Sequence, residues 1–480
     1  MNARRSLRSV VVVGGGLTAV SAAIGFARAL PQATVTWVTL PLDPAALADR
    51  LPAVGPEGMA LLATLGVSEG ALVAAGAATH RVGTRFAWGA APFAIAEGDG
   101  VGMIAGAALH QLWWAHGGEG AFDALVPGAA LALADRFVHP VENARSPLSR
   151  IDYALRLDAE RALPVFAEAA RAARVRAIAA ARIEVLRAGD TIAIAAGGER
   201  IEADLFVDAS GPAAVLAAAD TRWIDWSATL PVDRLLLGTA PPRPSPADGY
   251  EAIATGWTAR WPLATRTLTG MGYAAAVTGD ARARKAVTGD MERIVVRPGR
   301  QAAAFVGNVV ALGDAAASVG PLGWPGLPLA LAQLKVVLEL MPARDDEPLL
   351  RAEYERRAGL LADRAHAYAA AFYLIGARRG PFWHPLRTAT PPRELADALA
   401  QFGRRGTLPP LEEQHIARAA WQQALIGLGV RPERHDPVAL SVPRASAIAG
   451  LAQLRAAIAA LPATLPPYPD YLATMMRGRR

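Results

Sequence analysis

The segment VVVVGGGLTAVSAAIGFARAL, beginning at Val10, constrains the fold more than any other stretch of the chain. Four β-branched residues run into Gly14 and Gly16, Ala19 follows, and an apolar run with helical spacing continues. This is G-x-G-x-x-G/A placed between a strand and a helix. Small residues there let the N–H groups at the helix start approach a phosphate. Arg4, Arg5 and Arg8 ahead of an apolar run, with Ala-Arg-Ala at 27–29, also suit a secretory leader. A leader has no use for glycines at phosphate-loop spacing directly after a strand, so the nucleotide reading is preferred.

Two further segments extend that reading. VVALGDAAASVGPLGWPGLPLALAQL, from Val309, is again a β-rich run that ends in Gly313-Asp314 and leads into an apolar helix. ARIEVLRAGDTIAIAAGGERIEADLFVDASGPAAVL, from Ala181, reads as strand, turn and strand, then an apolar strand ending in Asp208-Ala209-Ser210-Gly211. The three pieces, in this order, resemble flavoproteins of the aromatic hydroxylase class. That resemblance implies FAD, with contacts from Gly14, Gly16, Leu17, Thr18, Ala19, Asp208, Gly313, Asp314, Pro321 and Gly326. A dinucleotide fold usually ends its second strand in Glu or Asp for the ribose hydroxyls. Here that position is Thr39, with Asp43 beyond it, which implies weaker FAD binding and an exchangeable flavin.

Composition sets outer limits. With 480 residues, 52% hydrophobic and 19% charged, the chain can bury a large core and form two domains, or one with a cap. No apolar run reaches about 18 residues without glycine or charge, so no membrane span is expected, and the protein is expected in the cytoplasm. The net charge of +6 is spread as single arginines rather than clustered with aromatic residues, which argues against a nucleic-acid partner. There is no cysteine, and His80, His110, His116 and His139 lack metal-ligand spacing, so no metal is expected.

The expected architecture is α/β: a discontinuous Rossmann-type FAD-binding domain of the aromatic hydroxylase-like kind, a substrate-binding region and a mostly helical C-terminal part. The FAD domain is expected over 1–45, 151–215 and 300–342, the substrate side over 46–150 and 216–299, and the helical region over 343–480. Within this layout, 151–180 reads as a helix and 220–300 as strand-rich.

Beyond these pieces the chain resembles the flavin-dependent tryptophan halogenases over nearly its whole length. AATHRVGTRFAWG from Ala77, IDYALRLDAERALPVF from Ile151, GWTARWPLATRTLTGMGYA from Gly256, AWQQALIGLGVRPERHDPVA at 419–438 and LPPYPDYL at 465–472 carry the resemblance. It implies an oxidoreductase that uses reduced FAD, supplied by a separate flavin reductase, and oxygen on an aromatic, indole-like small molecule or side chain. In that family hypohalous acid formed at the flavin travels to a lysine beside the substrate.

Arg81 stands at that lysine's position, and the chain's two lysines, Lys285 and Lys335, lie elsewhere. An arginine stays protonated and does not replace an amine that must deprotonate. The family's Glu-Ser-Thr-Gly is Gly323-Trp324-Pro325-Gly326 here. The glutamate is therefore absent, and Pro325 has no N–H to offer a halide. Ala259 replaces the second tryptophan of the family's G-W-x-W-x-I-P, and Trp261 takes its isoleucine position. Arg81, Trp257 and Trp324 are the candidates for the substrate side, although a core role suits Trp257 at least as well. Of Trp113 and Trp114, adjacent on a helix, at most one is expected to reach a pocket. Three functions remain open: a halogenase in which Arg81 donates hydrogen bonds to hypohalous acid, a non-halogenating flavin monooxygenase, and a degenerate flavin-binding protein.

Overall fold

The computed structural model describes residues 5–477 apart from 90, 99–101, 118–119, 143–145, 190, 218–221, 288, 345–346, 377 and 414. The chain builds two compact units, each from three separated segments. The first unit takes Met1–Ala78, Leu157–Leu230 and Ile294–Ala365; the second takes Thr79–Arg156, Pro231–Arg293 and His366–Arg480.

The first unit is organised by a six-stranded sheet in the order Arg176–Ala179, Thr34–Thr39, Ser9–Val13, Leu205–Asp208, Val309–Ala311, Phe305–Val306. All neighbours are parallel except the last pair. Val10 to Val13 form an unbroken buried run, as a strand covered on both faces requires. Val13 pairs with Val38 on one side and Asp208 on the other, and Asp208 pairs with Ala311. This register ends three strands at one edge of the sheet. Gly14, the Ser210 loop and Gly313 leave from that edge, where open α/β sheets bind ligands.

Helix Leu17–Ala29 packs against helices Ala159–Ala172 and Gly326–Leu340. An antiparallel trio, Ile183–Ala188, Thr191–Ala196 and Glu199–Glu202, turns Ile192, Ile194 and Ala196 into a core shared with Val11, Val13 and Phe206. The helix expected over 151–180 is shorter than that span. Strand Ala154–Leu157 precedes helix Ala159–Ala172, and strand Arg176–Ala179 follows it. Arg174 takes a left-handed backbone (φ 61°) and stops the helix, with Val175 N–H returning to the Ala170 carbonyl.

The second unit carries a sheet in which Arg234–Ala240, Thr267–Tyr273, Gly256–Pro262, Ala247–Ile253, Gly83–Ala87 and Phe93–Ala96 follow one another. Its pairs are antiparallel apart from Ala247–Ile253 with Gly83–Ala87. The C-terminal part is mostly helical, as expected, with helices Arg393–Arg405, Arg418–Gly427, Arg444–Ala460 and Tyr468–Arg477. Trp113 packs against Phe122, and Trp114 against His110 and Phe402.

Among the described residues one helical stretch, Arg444–Thr464, is long and apolar enough to cross a membrane by length and composition. Its Ala447 and Leu451 are buried in the second unit's core with Leu112, Phe122 and Leu125. A single helix of this kind is weak evidence for a span, since a core helix has the same composition.

Candidate functional site

The sheet edge of the first unit gathers most of the residues expected to hold a dinucleotide. Gly14 has φ 152°, and a Cβ there would lie 2.1 Å from the Ala209 carbonyl oxygen, so the turn from strand to helix accepts glycine alone. Its N–H donates to the Val38 carbonyl (3.0 Å), and its own carbonyl accepts from the Trp37 indole (2.8 Å). Leu17, Thr18 and Ala19 form the buried first turn of helix Leu17–Ala29, whose N-cap, Gly16, offers no side chain. Gly313 (φ 61°) lies beside Thr18: a Cβ on it would sit 3.0 Å from Thr18 Cγ2. The Gly313 N–H donates to buried Gln333 Oε1 at 2.8 Å.

Asp314 follows and is 4% exposed. Burial, opposed by the Ala48 N–H and reinforced by Asp49, pushes its carboxyl up to about 7. The Ala48 N–H donates to Asp314 Oδ2 at 2.7 Å. Asp49, one residue on, lies against the glycine turn itself. Its Oδ1 accepts from the Thr18 N–H at 2.8 Å, and its carboxyl atoms fill the space that a Gly16 Cβ would enter, at 2.1–2.5 Å. Burial raises Asp49 to about 6 against the pull of the Thr18 N–H. Gly326 belongs to the same group, since a Cβ on it would meet Ala48 Cα at 2.6 Å. The glycine pattern foretold the turn, but a lone aspartate in Ala-Leu-Ala-Asp-Arg gave no signal of its place.

The remaining candidates lie in other surroundings. Both oxygens of buried Asp208 are taken by its own loop: Oδ1 accepts from Ser210 N–H and hydroxyl (3.1 and 2.6 Å), Oδ2 from the N–H groups of Leu216 and Ala217 (2.8 and 3.0 Å). Its carboxylate shapes that loop. Thr39 ends its strand, and its carbonyl accepts from Ala180 N–H. Pro321 is buried in the loop before helix Gly326–Leu340. Trp324 is 1% exposed and left-handed (φ 58°), directly after Gly323 at φ 82°. A non-glycine aromatic in that region is strained, on the order of 1–3 kcal/mol.

In the second unit Arg81 anchors a buried charge cluster that the sequence did not disclose. Its Nε donates to Glu97 Oε1 at 2.7 Å and its Nη1 to Asp248 Oδ2 at 3.1 Å. Asp248 Oδ1 accepts from Arg156 Nη1 at 2.9 Å, and Arg156 also donates to the carbonyls of His80 and Ser245. Arg156 and Asp248 are 0% exposed and Arg81 is 6% exposed. Burial works against the Arg81 charge, but Glu97 and Asp248 outweigh it and hold its pKa above the ordinary arginine value. Trp257 is fully buried and donates to the Tyr373 hydroxyl at 3.1 Å, which is the environment of a core residue. Both lysines project from the protein: Lys335 is 69% exposed and reaches Glu339, and Lys285 ends helix Asp280–Lys285 in an exposed position.

Comparison with known proteins adds to this geometry. A family model described as tryptophan halogenase matches residues 9–444. Tryptophan 7-halogenase RebH of Lentzea aerocolonigenes is 28% identical over 285 residues, 52% of this chain and 53% of that one. The matched region thus spans little more than half the length of such curated relatives. Among solved structures, BrvH, a flavin-dependent halogenase from Brevundimonas sp. BAL3, superposes with a TM-score of 0.90 at 26% identity, covering 98% of this chain and 99% of that one. SttH, a tryptophan 6-halogenase from Streptomyces toxytricini, shares the fold with a TM-score of 0.85 at 22% identity, covering 98% and 100%.

Proposed function

The chain belongs to the tryptophan halogenase family, and from that premise we propose that it is an FAD-dependent oxidoreductase that uses oxygen on an aromatic small molecule and does not halogenate. Enzymes of this family take reduced FAD from a separate flavin reductase, and such a reductase is the partner proposed for this chain. An indole-like compound is the substrate class that the names of the relatives suggest.

The dinucleotide frame fits FAD. The Thr18 N–H already holds an anion, the Asp49 carboxylate, at the start of a 13-residue helix. The first-turn N–H groups would hold the pyrophosphate, and Asp314 would accept from hydroxyls of the cofactor. Bound and reduced, the flavin supplies two electrons for oxygen activation. The protein's part is to orient it and keep water away.

The observation that carries the non-halogenating reading is the state of Arg81. A relay residue must offer a deprotonated amine. Arg81 is an arginine, buried, and tied to two carboxylates. Pro325 also lacks the N–H that a halide would use. One specific observation favours the other reading: BrvH, similar over nearly the full length, is a halogenase.

A product assay separates the two. With FAD, a flavin reductase, NADH, oxygen, bromide and indole or tryptophan, mass spectrometry should show no brominated product. Arg81→Lys should not create one, since Glu97 and Asp248 would pair with the new ammonium. Bromination by the wild-type protein would defeat the reading.

A further inference from the structure

The turn Leu47–Arg50 lies against Gly16, Thr18, Asp314 and Gly326, four of the residues that the FAD reading needs. The Asp49 carboxylate fills the space over Gly16 and takes the Thr18 N–H. The Ala48 N–H takes Asp314, and the Ala48 backbone lies where a Cβ on Gly326 would be. Asp49 is 3% exposed and Ala48 is 1% exposed, so this packing is closed to water. A phosphate seated at the start of helix Leu17–Ala29 would need the N–H group and the volume that Asp49 occupies. It would also meet a carboxylate at contact distance, and two anions cannot share that point.

Resting on the FAD reading, we propose that Asp49 is an internal competitor for the FAD pyrophosphate, standing in for it until the turn withdraws. The turn is built to move as a piece. Most of its shape is fixed by local bonds: Ala45 N–H to Asp43 Oδ1 (2.8 Å), Ala46 N–H to the Asp43 carbonyl (3.0 Å), Asp49 N–H to the Ala46 carbonyl (3.1 Å) and Leu51 N–H to the Leu47 carbonyl (2.9 Å). It is tied to the glycine frame chiefly through Asp49, which takes the Thr18 N–H and is also drawn by the Leu17 backbone, and through the Ala48 N–H to Asp314. When the turn leaves, Thr18 N–H and Asp314 are released together, one for the phosphates and the other for hydroxyls of the cofactor. Asp49 thereby sets how tightly the chain holds flavin, a property suited to a cofactor that arrives reduced and leaves again.

The test is titration of the full-length protein with oxidised FAD, followed by flavin anisotropy, and with ADP, followed by calorimetry. ADP carries the same pyrophosphate without the isoalloxazine. Wild type, Asp49→Ala and Asp49→Asn are compared; the asparagine keeps an oxygen for Thr18 N–H should the alanine variant fold poorly. Asp49→Ala should tighten FAD and ADP alike by at least tenfold, Asp49→Asn, which removes only the charge, should tighten both by less, and FAD should speed hydrogen exchange of the 46–51 amides in the wild type. Equal affinities for FAD in all three proteins would overturn the role of Asp49 and leave the FAD reading standing. Tightening for FAD but not for ADP would overturn the proposal by moving the effect away from the phosphates. Absence of FAD binding in every variant would remove the proposal and the FAD reading together.

Discussion

Replacing Asp248 with alanine should destabilise the protein by about 3–5 kcal/mol, because it leaves two buried guanidinium groups without their shared counter-charge. Arg156 and Asp248 are fully buried, and Asp248 bridges Arg156 at 2.9 Å and Arg81 at 3.1 Å. After the substitution Arg156 keeps the carbonyls of His80 and Ser245, which are dipoles and not charges, and Arg81 keeps Glu97. Glu97→Gln is the internal comparison. The Glu97 side chain is 16% exposed and pairs with Arg81, so its loss should cost less, on the order of 1–2 kcal/mol. Urea denaturation of the three proteins measures both. A loss below about 1 kcal/mol for Asp248→Ala would mean that the cluster is solvated and Arg81 is not held as described. The result bears on function, because an arginine fixed by this cluster cannot swing out to serve as a relay.

The second large effect is on the pH dependence of stability. Asp49 titrates at about 6 and Asp314 at about 7 in the folded chain, against 3.8 for an unperturbed aspartate. Both are raised by burial, so between roughly pH 4 and pH 7 the folded protein binds more protons than the unfolded one. Stability therefore falls as pH rises through that window and levels off above it. At about 1.4 kcal/mol per pH unit, this is on the order of 3 kcal/mol for Asp49 and on the order of 4 for Asp314.

The double variant Asp49→Asn, Asp314→Asn removes both charges and should be more stable than the wild type at pH 8, with the difference vanishing near pH 4. Denaturation midpoints across that range give the answer, and a constant difference would contradict it. The same change at Asp314 should weaken FAD binding, since the amide is a poorer acceptor than the carboxylate. A buried carboxylate that burdens the cofactor-free fold and serves the cofactor is the pattern expected of a binding residue.

These two clusters also show what a sequence does and does not disclose. The strand, turn and helix around Gly14 and Gly16 were legible because their signal is local: β-branched residues, glycines at phosphate-loop spacing and an apolar helix all lie within about 20 residues. The hairpin after Ala181 was legible for the same reason. Arg81 was singled out by position, but its partners were not, because Asp248 is 167 residues away in the chain and no local pattern links them. Asp49 went unnoticed because a single aspartate beside Arg50 reads as solvated until the fold presses it onto Gly16. Asp208 is expected among the cofactor contacts because its Asp-Ala-Ser-Gly ending resembles that of aromatic hydroxylase flavoproteins, but nothing local announces how its loop uses it. Its loop turns back and consumes both oxygens, a decision made by Ser210, Leu216 and Ala217. The helix read over 151–180 ran past Arg174, whose left-handed backbone belongs to a residue type with no such preference.

The proposed chemistry is oxygen activation on reduced FAD without engagement of a halide. Its most direct test is rapid mixing of the anaerobic protein, loaded with reduced FAD, against oxygenated buffer containing no halide, chloride or bromide, with flavin absorbance followed in time. The account predicts the same course of flavin reoxidation in all three buffers. A rate that rises with halide concentration and saturates would reveal a working halide site and contradict it.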